Sequence, residues 1–346
     1  MEFVFRERVE DPNGYTALLQ RTLDILSNST YSHRRAILET LRTLYSEDPT
    51  LELPFALLAR LTNQFLSIRS EPLDDAPALA MLAPVITNYV LRVHNDRRLV
   101  CKPYTMSRIL WTHFKVLVKL AESPQNKIAL TSLRQLVQYG IVPSSALEGI
   151  DLKGRDFGAV FFSIIIRCCL SFGWPNRATF LLNASVNWDN HAPTSFGPAV
   201  TSVIDALIQD NTSSTSLQNA AGLITRYHTS LTTPFPRRIL QQFYDKTQAD
   251  HHDGMALTVY QVLRSPDVRS RHKGPALTGK TLTWLLYRCR ARKDTHTMRS
   301  LIAQVVEEGV GISEPYLPSF VQSAAEYGMF YYARKLWERE IGRAHV

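Results

Sequence analysis

The stretch "RCCLSFGWPNRATFLL", Arg167 to Leu182, decides how the chain folds. An apolar segment with helical spacing runs into Cys168 and Cys169, a Gly-Trp-Pro turn breaks it, and a second helical pattern begins at once. Glycine adopts the left-handed conformation that ends a helix, and proline suits the first turn of the next. The stretch therefore reads as a helical hairpin. Two cysteines adjacent in one helix point about 100° apart and do not easily share a metal ion, and with Cys101 and Cys289 they show no CxxC spacing. They are expected to be small buried hydrophobes in a reducing compartment.

Working outward, the second helix of this hairpin carries a small residue, Ala178, followed three and four positions later by Leu181 and Leu182. The pattern recurs at Ala220 (Leu223, Ile224), Ala256 (Val259, Tyr260) and Ala333 (Leu336, Trp337), and more loosely at Ala129 (Ser132, Leu133) and Met298 (Leu301, Ile302). Successive markers are 49, 42, 36, 42 and 35 residues apart, so the shortest spacings point to a unit of about 33 to 35 residues with the excess in loops. A small marker lets the second helix approach the first, while the pair beyond it is buried against the next unit. Gly173 and Gly328, each five residues before a marker, supply the turn between helices. Gly140 ends a second helix and Pro143 stops it from continuing, a place Pro234 holds after Ala220.

No stretch alternates β-branched and polar residues, so the fold class is all-α, with further helices near 14–28, 32–45, 55–68 and 77–93. Divergent helical hairpins are expected over 1–106 and a repeat array over 107–340. The last six residues, "IGRAHV", resemble a translated sequencing-library adapter, so 341–346 is expected to be a non-native tail, with both true ends lying outside the sequence.

These units resemble pentatricopeptide repeats, the α-hairpin repeats of organellar RNA-binding proteins. The residues that carry the resemblance are "VFFSIIIRCCLSFGWPNRATFLLNASV" from Val160, "KTLTWLLYRCRARKDTHTMRSLIAQVVEEGVGIS" from Lys280, and "PYLPSFVQSAAEYGMFYYARKLWER", whose Gly-x4-Ala-x2-Leu-Trp stands where the family has Gly-x4-Ala-x2-Leu-Phe. "LRQLVQYGIVPS" is similar to the unit's ending, and five or six degenerate units cover Trp111 to Glu340. The resemblance implies a right-handed superhelical solenoid. It also implies that the fifth residue of each first helix, fourteen before the marker, faces a base: Lys115, Ile164, Ala206, Gln242, Trp284 and Ser319. Sequence-reading members place Ser, Thr or Asn there, which only Ser319 matches, so base-by-base readout is not expected. Trp284 is a candidate for stacking on a base, or else a core residue.

One turn further along the same face come Lys119, Arg167, Lys246 and Arg288, which with Lys115 form either a positive track for RNA phosphates or an ordinary solvated helix face. Thirty-nine basic against thirty-one acidic side chains, a net charge of +8 and a pI near 9.3 favour an anionic partner.

Three other motifs compete and lose. "GPALTGKT", Gly274 to Thr281, fits the phosphate-binding pattern G-x-x-x-x-G-K-[ST], but the basic "RSPDVRSRHK" before it is no strand, so the match is expected to be fortuitous. "DHHDG", Asp250 to Gly254, holds metal-ligand types crowded into one turn with no second cluster, and reads as a solvated turn. Asn28, Asn183 and Asn211 open N-x-[ST] triplets, relevant only to a secreted chain. No nucleophile, base and orienting group assemble from spacing, so neither enzyme activity nor a cofactor is expected. The nearly apolar run from Ala159 to Ile166 is far short of the ~20 residues of a membrane helix, so a soluble protein is expected. "MEFVFRERVED" carries no visible targeting signal.

The expectation is thus a helical-repeat protein that binds single-stranded RNA. The resemblance implies an organellar setting, the mitochondrion first, and a role in transcript stabilisation, processing or translation. The alternative is a protein-binding scaffold of similar repeats, such as a component of a mitochondrial ribosome or of an RNA-processing complex.

Overall fold

In the computed structural model the described residues are 58–59, 62, 72–95, 103–147, 157–184, 196–210, 215–231, 234–265 and 277–344. The helices expected over 14–28 and 32–45, most of that over 55–68, and Cys101 lie outside them. Among the described residues there is no strand. The elements are α1 (Pro72–Asn95), α2 (Pro103–Ala121), α3 (Asn126–Gln138), α4 (Phe157–Ser171), α5 (Pro175–Ala184), α6 (Phe196–Gln209), α7 (Ser216–Tyr227), α8 (Arg237–Ala249), α9 (Asp253–Leu263), α10 (Gly279–Arg292), α11 (Thr295–Glu307), α12 (Leu317–Glu326) and α13 (Phe330–Ala344), with 3-10 turns at Ser144–Leu147 and Glu314–Tyr316. The chain divides into two compact units, Met1–Cys168 and Cys169–Val346, with the division inside α4. The boundary expected at 106/107 falls within α2.

In the first unit α1, α2 and α3 pack on one another. The segment Ala76–Asn95 of α1 is long and apolar enough to cross a membrane, at a mean hydropathy of 1.4, and the run-length reading of the sequence overlooked it. A core helix meets the same description, and half of this segment is buried. Between α1 and α2 lies a buried polar pair, with His113 Nε2 3.0 Å from Thr87 Oγ1 while the Thr87 hydroxyl donates to the Ala83 carbonyl at 2.8 Å. Thr87 has therefore spent its hydrogen, and His113 must supply the one between them.

In the second unit each helix packs on its neighbour in sequence, and the architecture is repeat-like: α6 packs on α8, α8 on α10, α5 on α7, α7 on α9 and α11 on α13. The small-residue markers explain how. Ala129 of the first unit and Ala178, Ala220, Ala256 and Met298 are 0% exposed and Ala333 9%, so where the marker is alanine the second helix meets its neighbour with no long side chain to keep them apart, whereas at Met298 a longer, flexible side chain fills the contact. The positions three and four beyond are buried as expected except Trp337, which is 52% exposed: α13 turns Ala333 and Leu336 to the core, and no neighbouring unit is described over its next face.

The turns follow one geometry. Gly173 and Gly328 have φ of 69° and 70°, and the amides that follow them, Trp174 and Met329, bond back to the carbonyls of Cys169 and Ala324, closing the first helix of each hairpin. Five residues before Ala256 and Met298 stand His251 and Lys293, both at φ 57°, with Asp294 and His252 amides returning to Cys289 and Thr247. Two units thus carry an L side chain in the position that glycine holds elsewhere, a position the sequence alone did not expose.

Polar cross-links recur about one unit apart. Between second helices, Tyr227 donates to the Leu182 carbonyl at 2.9 Å, Tyr260 to Gln304 Oε1 at 2.8 Å, and Arg339 to the carbonyls of Val305 and Val306 at 3.1 and 3.2 Å. Arg264 is paired with Glu308 in the same row. First helices are joined by Arg238 to Asp205 at 2.8 Å, Gln241 to Thr281 at 2.8 Å, Tyr287 and Ser319 at 3.0 Å, and Arg290 to Glu326 at 3.2 Å.

Candidate nucleic-acid interface

The residues proposed for RNA contact lie on first helices, α2 and α4 in one unit, α8 and α10 in the other. Each unit is described by itself.

On α2, Lys119 is exposed at the last turn, where a cation also meets the negative end of the helix. Its charge acts on Glu122, whose carboxyl burial pushes upward and Lys119 pulls back. One turn earlier, Lys115 is half-buried, with its Nζ 5.9 Å from the centre of the Trp111 ring, and desolvation pushes its ammonium below the usual lysine range. Arg167 is exposed on α4 beside Cys168, which burial pushes up to about 12. Cys289 is also pushed to about 12 by burial, so both thiols stay protonated and act as core hydrophobes.

In the second unit, the "DHHDG" turn between α8 and α9 reaches the cations of the track. Asp250 pairs with Lys246 at 3.5 Å and Asp253 with Arg288 at 3.2 Å. Arg292, one turn beyond Arg288, lies over Gly254, where an added Cβ would sit 3.2 Å from Nη1. A solvated turn was expected here. Asp250, His251 and His252 are exposed, as a solvated turn requires, and the Asp250 and Asp253 carboxylates also pair with two predicted phosphate contacts, the second of which sequence spacing hides because Asp253 and Arg288 are far apart in the chain.

The base-facing set divides in the same way. Ile164 is 0% exposed and Trp284 9%, so the Trp284 ring packs in the core and offers no open face to a base. Ala206, Gln242 and Ser319 are half-buried, and Gln242 Oε1 has no hydrogen-bond partner among the described residues. An aromatic side chain that the register did not select, Tyr287, stands 43% exposed one position before Arg288.

Residues 274–276 of "GPALTGKT" lie outside the described residues, and the remainder caps α10. Thr278 accepts from the Thr281 amide at 3.4 Å, and a Cβ at Gly279 would meet the Gly311 carbonyl oxygen at 2.1 Å. A close approach of two backbones accounts for this glycine. Lys280 is exposed. No group of three His, Cys, Asp or Glu residues among the described residues is arranged to hold a metal ion.

No family model matches the chain, and a search of the curated proteins finds no relative.

Proposed function

We propose that the protein is a right-handed α-α solenoid of pentatricopeptide type that captures single-stranded RNA through its phosphate backbone in an organelle, the mitochondrion first, and acts in transcript stabilisation, processing or translation. The observation that supports the reading is the common register of the hairpins. Buried markers recur together with left-handed turns five residues before four of them, and polar cross-links recur about one unit apart. Within the second unit such stacking sets successive first helices side by side, α6 on α8 and α8 on α10, and the excess of +8 supplies the charge an RNA backbone needs.

The ion pairs refine the mechanism. Lys119, exposed and joined to no carboxylate by a described ion pair, contacts phosphate directly, whereas Lys246 and Arg288 must first exchange Asp250 and Asp253 for phosphate oxygens. Each exchange cancels much of the Coulombic gain, so these two contribute less. Filter binding of a single-stranded RNA between 50 and 200 mM salt, roughly the range over which such contacts are felt, tests this. Affinity is expected to fall steeply with salt, and Lys119→Ala to reduce the slope by about 0.7, the increment of one phosphate on a single strand. Arg288→Ala is expected to change it less. Absence of RNA binding, or an affinity indifferent to salt, refutes the reading.

The scaffold reading is favoured by one observation: Phe330, Tyr331 and Trp337 on α13 are 71%, 65% and 52% exposed, an aromatic surface suited to a polypeptide. It predicts a protein partner lost on Trp337→Ala and retained on Lys119→Ala.

A further inference from the structure

Resting on the RNA-binding reading above, we propose that Tyr287 and Ser319 form a nucleobase-stacking site between α10 and α12. Tyr287 is exposed over 43% of its surface, whereas Trp284, one turn earlier on the same helix, retains 9%. The Tyr287 hydroxyl lies 3.0 Å from Ser319 Oγ on the facing helix. The ring is therefore tied at both ends, by its own backbone and by the neighbouring hairpin, and it loses little rotamer freedom when a base stacks on it.

The surroundings suit an unpaired base. Three residues on from Tyr287, Arg290 bridges to Glu326 at 3.2 Å, a second tie between α10 and α12, and within α12 Glu326 also accepts from Gln322 Nε2 at 2.7 Å. Of the two hydroxyl hydrogens of Tyr287 and Ser319, one joins the pair and the other is left to donate to a carbonyl oxygen on a base edge. Stacking accepts any base, and the hydroxyl adds a modest preference. Lys280, exposed two helical turns before Tyr287, lies on the same face of α10 and supplies a cation for the neighbouring phosphate.

The test is fluorescence anisotropy with labelled ten-nucleotide homopolymers of uridine, cytidine and adenosine, using the full chain and its Tyr287→Ala, Tyr287→Phe and Ser319→Ala variants at two salt concentrations. Tyr287→Ala is expected to weaken binding about tenfold, with the salt slope unchanged because no phosphate contact is lost. Tyr287→Phe keeps the ring and is expected to stay within about twofold of the parent, with Tyr287→Phe and Ser319→Ala both narrowing the differences among homopolymers. Far-UV circular dichroism confirms that each variant is folded. A parent that binds RNA alongside an equally tight Tyr287→Ala, or a Tyr287→Phe as weak as Tyr287→Ala, overturns the stacking site and leaves the RNA reading standing. A parent that binds no RNA overturns both.

Discussion

His113 makes the stability of the first unit sensitive to pH in a calculable way. The imidazole is 0% exposed, its Nε2 hydrogen is given to Thr87, and its Nδ1 is buried with no hydrogen-bond partner among the described residues. Protonation would place a charge at Nδ1 with nothing to receive it, and desolvation holds the pKa at about 3 against 6.5 for a free imidazole. Because the folded value is the lower one, the unfolded chain binds the extra proton. Stability is therefore complete above about pH 7 and falls as the pH drops through 6.5 toward 3. The linkage relation gives a loss of about 2 kcal/mol at pH 5 and about 4 kcal/mol at pH 3. The perturbation is His113→Gln, whose amide donates to Thr87 without titrating. Urea unfolding of both proteins at pH 7, 6 and 5, followed by circular dichroism, subtracts every other titrating group. The parent is expected to lose about 2 kcal/mol more than the variant between pH 7 and 5. Stability curves that run parallel, within about 0.5 kcal/mol, refute the reasoning.

Further outcomes follow from the turns, the close backbone approach, the exposed Lys280 and the cross-links. Replacing Lys293 or His251 by glycine relieves a side chain held at φ 57° and is expected to raise stability by about 1 kcal/mol in thermal unfolding, whereas Gly328→Lys lowers it. Gly279→Ala drives a Cβ to 2.1 Å from the Gly311 oxygen and is expected to cost about 2–3 kcal/mol. Lys280→Ala in the same stretch leaves the melting temperature unchanged, and ATP hydrolysis dependent on Lys280 would show that the stretch binds phosphate after all. Tyr260→Phe strips Gln304 Oε1 of its donor in a buried site and is expected to cost about 1–3 kcal/mol in chemical denaturation.

Much of this architecture was legible in the chain, because helical periodicity and turn residues are local properties. The segment from Arg167 to Leu182 alone announces two helices and a left-handed glycine, and the structure places Gly173 at φ 69°. Small residues at fixed offsets from apolar pairs predicted which face of each second helix is buried, since a repeat has only one way to approach its neighbour. Where a unit departs from the pattern, the sequence was silent: Lys293 and His251 carry no sign of a left-handed backbone, which there is imposed by the hydrogen bonds that close α10 and α8.

What only the tertiary structure decided is which charges and rings remain available. A register assigns a residue to a face, but availability depends on what a distant segment brings there. Asp253 reaches Arg288 from the preceding hairpin, and core packing takes Trp284 while leaving Tyr287 open. The sequence by itself determined the helices, the turns made by glycine and the marker contacts, all set by side chains a few residues apart. The pairing of charges and the exposure of aromatics were set by contacts between helices separated along the chain, where no local pattern carries the information.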